Sequence, residues 1–137
     1  MGGRALIIET SALVAILLEE PEAPQLLTAI ETTDQCLTTV VNAFEATLSV
    51  GRALGNRELA GELVPAMLRK SGIAMIGIDP TLYDDLLDVY SRYGRGVGHP
   101  AQLNFGDCFS YAIAKREKMP LLFKGEDFSK TDIESAI

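Results

Sequence analysis

The chain reads as an α/β fold built on a parallel sheet, and three observations carry that reading. Short runs rich in Ile, Val, Leu and Thr recur between longer segments of helical spacing. Strands that alternate with helices call for crossover connections, which set the strands parallel and cover both faces of the sheet. The third is size: 137 residues, 47% of them hydrophobic, suffice for one domain, spanning 1–137, with a substantial core.

The elements follow in order. Residues 4–8 form a buried first strand, and the hydroxyls of Thr10 and Ser11 then open an apolar helix over 12–18. A second helix runs from Pro21 to about Ile30, and the Thr- and Val-rich stretch 36–40 is the second strand. Helices over 41–54 and 57–70 are separated by Gly55-Asn56, and the latter stops at Ser71-Gly72. Residues 73–78 are the third strand, and Asp79-Pro80 opens a helix through Tyr93. Three glycines and a proline within 94–100 mark a loop. Asn104 caps a helix to Lys118, 120–123 is the fourth strand, and 133–136 brings the sheet to four or five.

Composition excludes several classes. No apolar run approaches the roughly 20 residues of a membrane span, and no signal peptide precedes the first strand, so a cytoplasmic location is expected. Cys36 and Cys108 are single, distant and in apolar contexts, as core residues of a reducing compartment are. With one His and two Cys, the chain has no nucleophile-and-base set to speak of. The net charge of −7, less four candidate ligands, is −3, so the acidic total does not by itself bar a phosphate backbone.

Four acidic residues fall at junctions that an α/β fold exposes: Glu9, Glu45, Asp107 and Asp127. In parallel sheets, sites form beyond the carboxyl ends of the strands. Glu9 closes the first strand, and Asp127 follows the fourth. An acid directly after a buried strand and before two hydroxyls favours a ligand role for Glu9 over helix-dipole complementarity, and a turn role is the alternative for Asp127. At 100° per residue Glu45 shares the face of Val41, Phe44 and Leu48, where a carboxylate is costly unless paired or metal-bound. Asp107 lies three residues after Asn104, as in a capping box, while Gly106 permits close approach of a ligand. Gathered together, these oxygens would suit Mg²⁺ or Mn²⁺ and metal-dependent phosphodiester hydrolysis. Glu126 and Asp132 are further acidic candidates. Thr10 and Ser11 could orient Glu9, although capping alone accounts for them. Arg95 and Lys124 could meet phosphates, with Arg92 and Lys130 behind them, and His99 is the one imidazole available as a base.

These segments resemble PIN-domain proteins of the VapC type, the toxin half of bacterial type II toxin–antitoxin pairs. The resemblance is carried by Thr10-Ser11-Ala12-Leu13-Val14-Ala15-Ile16 after an acidic residue, by Glu45 in Val-Asn-Ala-Phe-Glu, and by Gly98-His99-Pro100. Asn104-Phe105-Gly106-Asp107-Cys108 and Lys124-Gly125-Glu126-Asp127-Phe128 with Thr131-Asp132-Ile133 complete it. It implies a three-layer α/β/α sandwich, Mg²⁺- or Mn²⁺-dependent cleavage of RNA, a homodimer, and a cognate antitoxin that inserts a C-terminal segment at the site. The family's acidic ligands fall on Glu9, Glu45, Asp107 and Asp127.

One departure stands out. The family opens with Asp-Thr-Ser, whereas this chain has Glu9-Thr10-Ser11. Glutamate is longer by about 1.5 Å. The exchange reads as a natural variant with altered metal preference or as an attenuation of a toxic nuclease. The rival is a silenced module that binds antitoxin or nucleic acid without cleaving. A phosphatase with an Asp nucleophile would want Asp-x-Asp after the first strand, and a receiver domain an acidic pair there; neither pattern is present.

Overall fold

The computed structural model describes residues 3–137. Four strands, β1 (Ala5–Ile8), β2 (Gln35–Thr39), β3 (Ile73–Ile76) and β4 (Leu121–Leu122), form one parallel sheet in the order β3-β2-β1-β4. The expected fifth strand contributes a single bridge, Ser135 beside Leu121, fastened by Leu121 N–H to Glu134 O and Ala136 N–H to Leu121 O.

Six helices connect the strands: α1 (Thr10–Leu17), α2 (Ala23–Glu31), α3 (Val40–Leu54), α4 (Arg57–Lys70), α5 (Tyr83–Tyr93) and α6 (Phe105–Glu117). Alternation along β1 sorts them into layers. Leu6 and Ile8 face one core with Leu13, Leu26, Ala43 and Val64, from α1 to α4. Ile7 faces the other with Val89, Tyr93, Tyr111 and Ile113, from α5 and α6. The result is the expected three-layer α/β/α sandwich.

Local chemistry sets most boundaries. Asn56 accepts from Leu59 N–H to open α4, and Gly55 closes α3 in the left-handed region at φ 66°. Thr39 accepts from Asn42 N–H, so helix α3 begins at Val40 and the predicted strand loses that residue. Pro80–Leu82 forms a separate 3-10 turn before α5, because Asp79 caps Thr81 N–H and Pro80 fixes the first position.

Chain order reverses at β1: β2 lies on one side of it and β4 on the other. The crevice beyond the carboxyl ends of β1 and β4 is therefore a topological switch point, where open α/β sheets bind ligands. Helices α1, α3 and α6 all begin at that edge.

Candidate active site

The four predicted acids meet at this crevice. Glu9, Glu45, Asp107 and Asp127 line one open cleft of about 290 Å³, together with Thr10, Ser11, Glu20, Asn104 and Lys124. Each arrives by a different local route.

Glu9 ends β1, its N–H bonded to Leu122 O on β4, and it caps α1. Its Oε1 accepts from Ser11 N–H at 2.9 Å and from the Ser11 hydroxyl. The capping reading of Glu9 is thus realised, and it uses Oε1 alone. Asp107 likewise makes the full capping box: its N–H donates to Asn104 Oδ1 at 2.8 Å, and its Oδ2 accepts from Asn104 N–H at 3.0 Å.

Glu45 needs a correction. The buried face of α3 is Asn42, Ala43, Ala46 and Val50, whereas Phe44 is 63% exposed. Glu45 is therefore half-buried at the margin of that face, held by the Thr10 hydroxyl, which donates to its Oε1 at 2.8 Å. The close approach that Gly106 permits is made by Glu45 itself. A methyl group on Gly106 would stand 2.1 Å from Glu45 Oε2.

Asp127 is exposed on the rim, five residues beyond Leu122 rather than directly after a strand. The buried Phe128 beside it packs against Phe123 and fixes that turn, as its position suggested.

The electrostatics of the cluster are those of crowded, desolvated carboxylates. Glu9 is 5% exposed and Asp107 6%. Burial pushes Glu9 up to about 7, against the lowering pull of its Ser11 hydrogen bonds, while Asp107 and Glu45 raise it further. Burial pushes Asp107 up to about 6, opposed by Asn104 N–H and Arg95 and reinforced by Asp127 and Glu45. Little positive charge answers them. Lys124 turns away, its Nζ 2.6 Å from Glu20 and 3.6 Å from Glu22, while its N–H donates to the Ser11 hydroxyl. Arg95 makes no ion pair among the described residues.

Such a site fits a hard divalent cation by its donor chemistry. Glu9, Glu45 and Asp107 each spend one oxygen on a positioning hydrogen bond and make none through the other. Among the described residues no three acidic, His or Cys side chains stand together as a group that could hold a metal ion as placed. The donors line an open cleft instead.

The remaining candidates lie elsewhere. Asp132 accepts from the Tyr111 hydroxyl and from Lys115, with Arg92 3.8 Å away, so it pins the C-terminal segment to α5 and α6 and does not reach the cleft. Glu126 accepts from the Ser129 hydroxyl in an exposed turn. His99 accepts Ala101 N–H on Nδ1 and packs edge-on against Tyr93, lining a different pocket, which removes it as a base. Both cysteines are buried thiols with burial-raised pKa. No described helix is long and apolar enough to cross a membrane.

One residue escaped the sequence reading. Asn42 is fully buried and reaches Thr10, Thr39 and Ser110 through its side chain. Beside the cleft, sharing Asn104 with it, runs an apolar groove of about 770 Å³ lined by Tyr83, Leu87, Tyr90, Arg95 and Phe105.

Residues 6–134 match the PIN domain family, the class that this sheet order and acidic cleft define. The chain is 39% identical over 128 residues to a ribonuclease VapC of Mycolicibacterium smegmatis, covering 93% of this chain and 97% of that protein. Ribonuclease VapC30 of Mycobacterium tuberculosis is 38% identical, covering 93% and 95%. The chain therefore belongs to the VapC ribonucleases of the PIN-domain family. Solved structures agree on the fold. The sarcin-ricin-loop-cleaving toxin VapC20 of Mycobacterium tuberculosis superposes with a TM-score of 0.76 at 14% identity, covering 93% and 95%. A toxin–antitoxin complex from Klebsiella pneumoniae gives 0.65 at 16% identity, covering 90% of each chain.

Proposed function

We propose that this chain is an endoribonuclease toxin that hydrolyses RNA phosphodiesters at the acidic cleft with Mg²⁺ or Mn²⁺, and that a cognate antitoxin restrains it. The observation that carries the reading is the convergence of Glu9, Glu45, Asp107 and Asp127 on one cleft, three of them with one oxygen pinned and one left over. When bound, the cation supplies an activated water and offsets charge developing on the phosphate. The protein's share is positioning. Ser11 fixes Glu9, Thr10 fixes Glu45, and Asn104 fixes Asp107. Arg95, which lines the groove beside the cleft and makes no ion pair among the described residues, would meet a phosphate there; Lys124 must first leave Glu20.

The antitoxin reading draws on the uncovered apolar side chains next to the cleft, among them Phe105 at 78% exposure. The expected homodimer would draw on Val40 and Phe44, also exposed, across α3; its mass in solution tests it.

Glu9 is proposed to attenuate the site. Asp is a favoured helix N-cap and Glu is not, so Glu9 must curl its extra methylene to reach Ser11. Misplacement on the order of 1 Å costs about a hundredfold in rate. The test is cleavage of a mixed tRNA and rRNA panel by this chain and its Glu9→Asp form, with Mg²⁺, Mn²⁺ or EDTA. Asp107→Asn, which keeps an acceptor for Asn104 N–H, serves as the inactive control. Faster cutting by the Asp form supports attenuation. Equal rates would defeat it, and silence from both would favour a module that binds without cleaving.

A further inference from the structure

The buried polar chain behind the cleft has a direction, and Asn42 sets it. Thr39 Oγ1 accepts from Asn42 N–H at 3.1 Å, so its own proton is free to give; it donates to Asn42 Oδ1 at 2.8 Å. That fixes the amide's orientation, because Oδ1 must face Thr39. Both Nδ2 hydrogens then point forward, to Thr10 Oγ1 at 3.0 Å and to Ser110 Oγ at 2.9 Å. Thr10 receives a hydrogen bond from Asn42 and has one proton left, which it gives to Glu45 Oε1 at 2.8 Å. Nothing in this chain can reverse without leaving a buried group unpaired, and Asn42, Thr39 and Ser110 are all fully buried.

We propose that Asn42 is a positioning residue for the metal-binding cleft: through Thr10 it holds one Glu45 oxygen and leaves the other for a divalent cation. The inference rests on the metal reading above. It differs from simple core packing, because only one of the two groups that Nδ2 serves lies on the path to Glu45. The asymmetry makes the role separable. Asn42→Asp keeps the shape but replaces the two donors with an acceptor, so the Thr10 proton is drawn back from Glu45. Thr10→Val removes the last link at a half-buried position. Ser110→Ala removes the other Nδ2 partner and leaves the path intact, and Thr10→Ser preserves the hydroxyl.

The experiment is calorimetric titration of Mn²⁺ into the whole chain and these variants, with thermal melting run alongside. Outer-shell partners of metal ligands typically contribute about 10- to 100-fold in affinity. Asn42→Asp and Thr10→Val are expected to lose that much, while Thr10→Ser and Ser110→Ala stay within about threefold of the parent on the same scale. Should Asn42→Asp fail to fold, Thr10→Val decides alone. A folded Thr10→Val or Asn42→Asp that binds Mn²⁺ as the parent does would overturn the proposal. So would Ser110→Ala losing as much as Asn42→Asp, since the network would then be serving packing only. A parent chain that binds no Mn²⁺ sinks the metal reading itself and this inference with it, a result distinct from either of the others.

Discussion

Adding one methyl group at Gly106 is expected to disable the cleft while sparing the fold. The new Cβ would stand 2.1 Å from Glu45 Oε2 and 2.6 Å from its carboxyl carbon. Ordinary contact begins at 3.4 Å, so the carboxylate must retreat by about 1.3 Å. The clashing atoms are the far end of a half-buried side chain, which can swing, and a helical Ala in place of Gly gains up to about 1 kcal/mol. Thermal stability should therefore stay within about 5 °C of the parent. Activity should not: displacement on this scale costs on the order of a hundredfold. Rates of Mn²⁺-dependent RNA cleavage, read beside a melting curve, separate the two effects. The double variant with Glu45→Asp sharpens the test, because a side chain shorter by about 1.5 Å covers the retreat the methyl demands. Glu45→Asp should then cost less in the Gly106→Ala background than in the parent. Parental cleavage by a folded Gly106→Ala protein, or losses that simply multiply, would refute the reasoning.

Two further expectations come from other parts of the structure. Glu9 is raised from 4.5 to about 7 by burial, so the folded chain keeps a proton that the unfolded chain releases. In EDTA, that contribution is whole below about pH 4.5 and is lost as pH rises through 7, on the order of 3 kcal/mol for one carboxylate. Asp107 adds to it in the same direction. Melting from pH 4.5 to 7.5 should show Glu9→Gln gaining on the parent as pH rises; parallel curves would contradict the burial argument. Separately, Tyr111→Phe removes the donor to Asp132 and should cost about 1 kcal/mol, a few degrees of melting temperature, with cleavage unchanged. Lost cleavage without lost stability would return Asp132 to the site.

What the sequence disclosed and what it withheld divide along a physical line. Local chemistry was legible: the Asn56 and Asn104 caps, the Gly55 stop and the proline at 80 each act within a few residues. The four acids were legible too, because strand ends and helix starts in a parallel sheet share one edge. The face that Glu45 shares with Val41, Phe44 and Leu48 was read as buried, although an apolar stripe indicates a buried side only when something covers it, and Phe44 is exposed. Asp132 was overrated because its partners, Tyr111 and Lys115, lie 21 and 17 residues away. Asn42 was missed for the same reason: its contacts span 32 and 68 residues, and a lone Asn in a helix gives no periodic signal. The Asn-Phe-Gly-Asp segment suggested room for a ligand, and the room belongs to Glu45.

The bond from Lys124 N–H to the Ser11 hydroxyl joins positions 113 residues apart, and β1 pairs with β4 just beneath it. The first and the fourth quarter of the polypeptide thus meet at the cleft, with Glu45 joining from the second. During translation, Glu9 and Glu45 leave the ribosome long before Asp107 and Asp127 exist. A chain halted before β4 has neither the strand that seats Glu9 nor the Asp127 turn, whatever it has folded so far. The order has a plain consequence: the cleft cannot be complete until synthesis has passed Asp127.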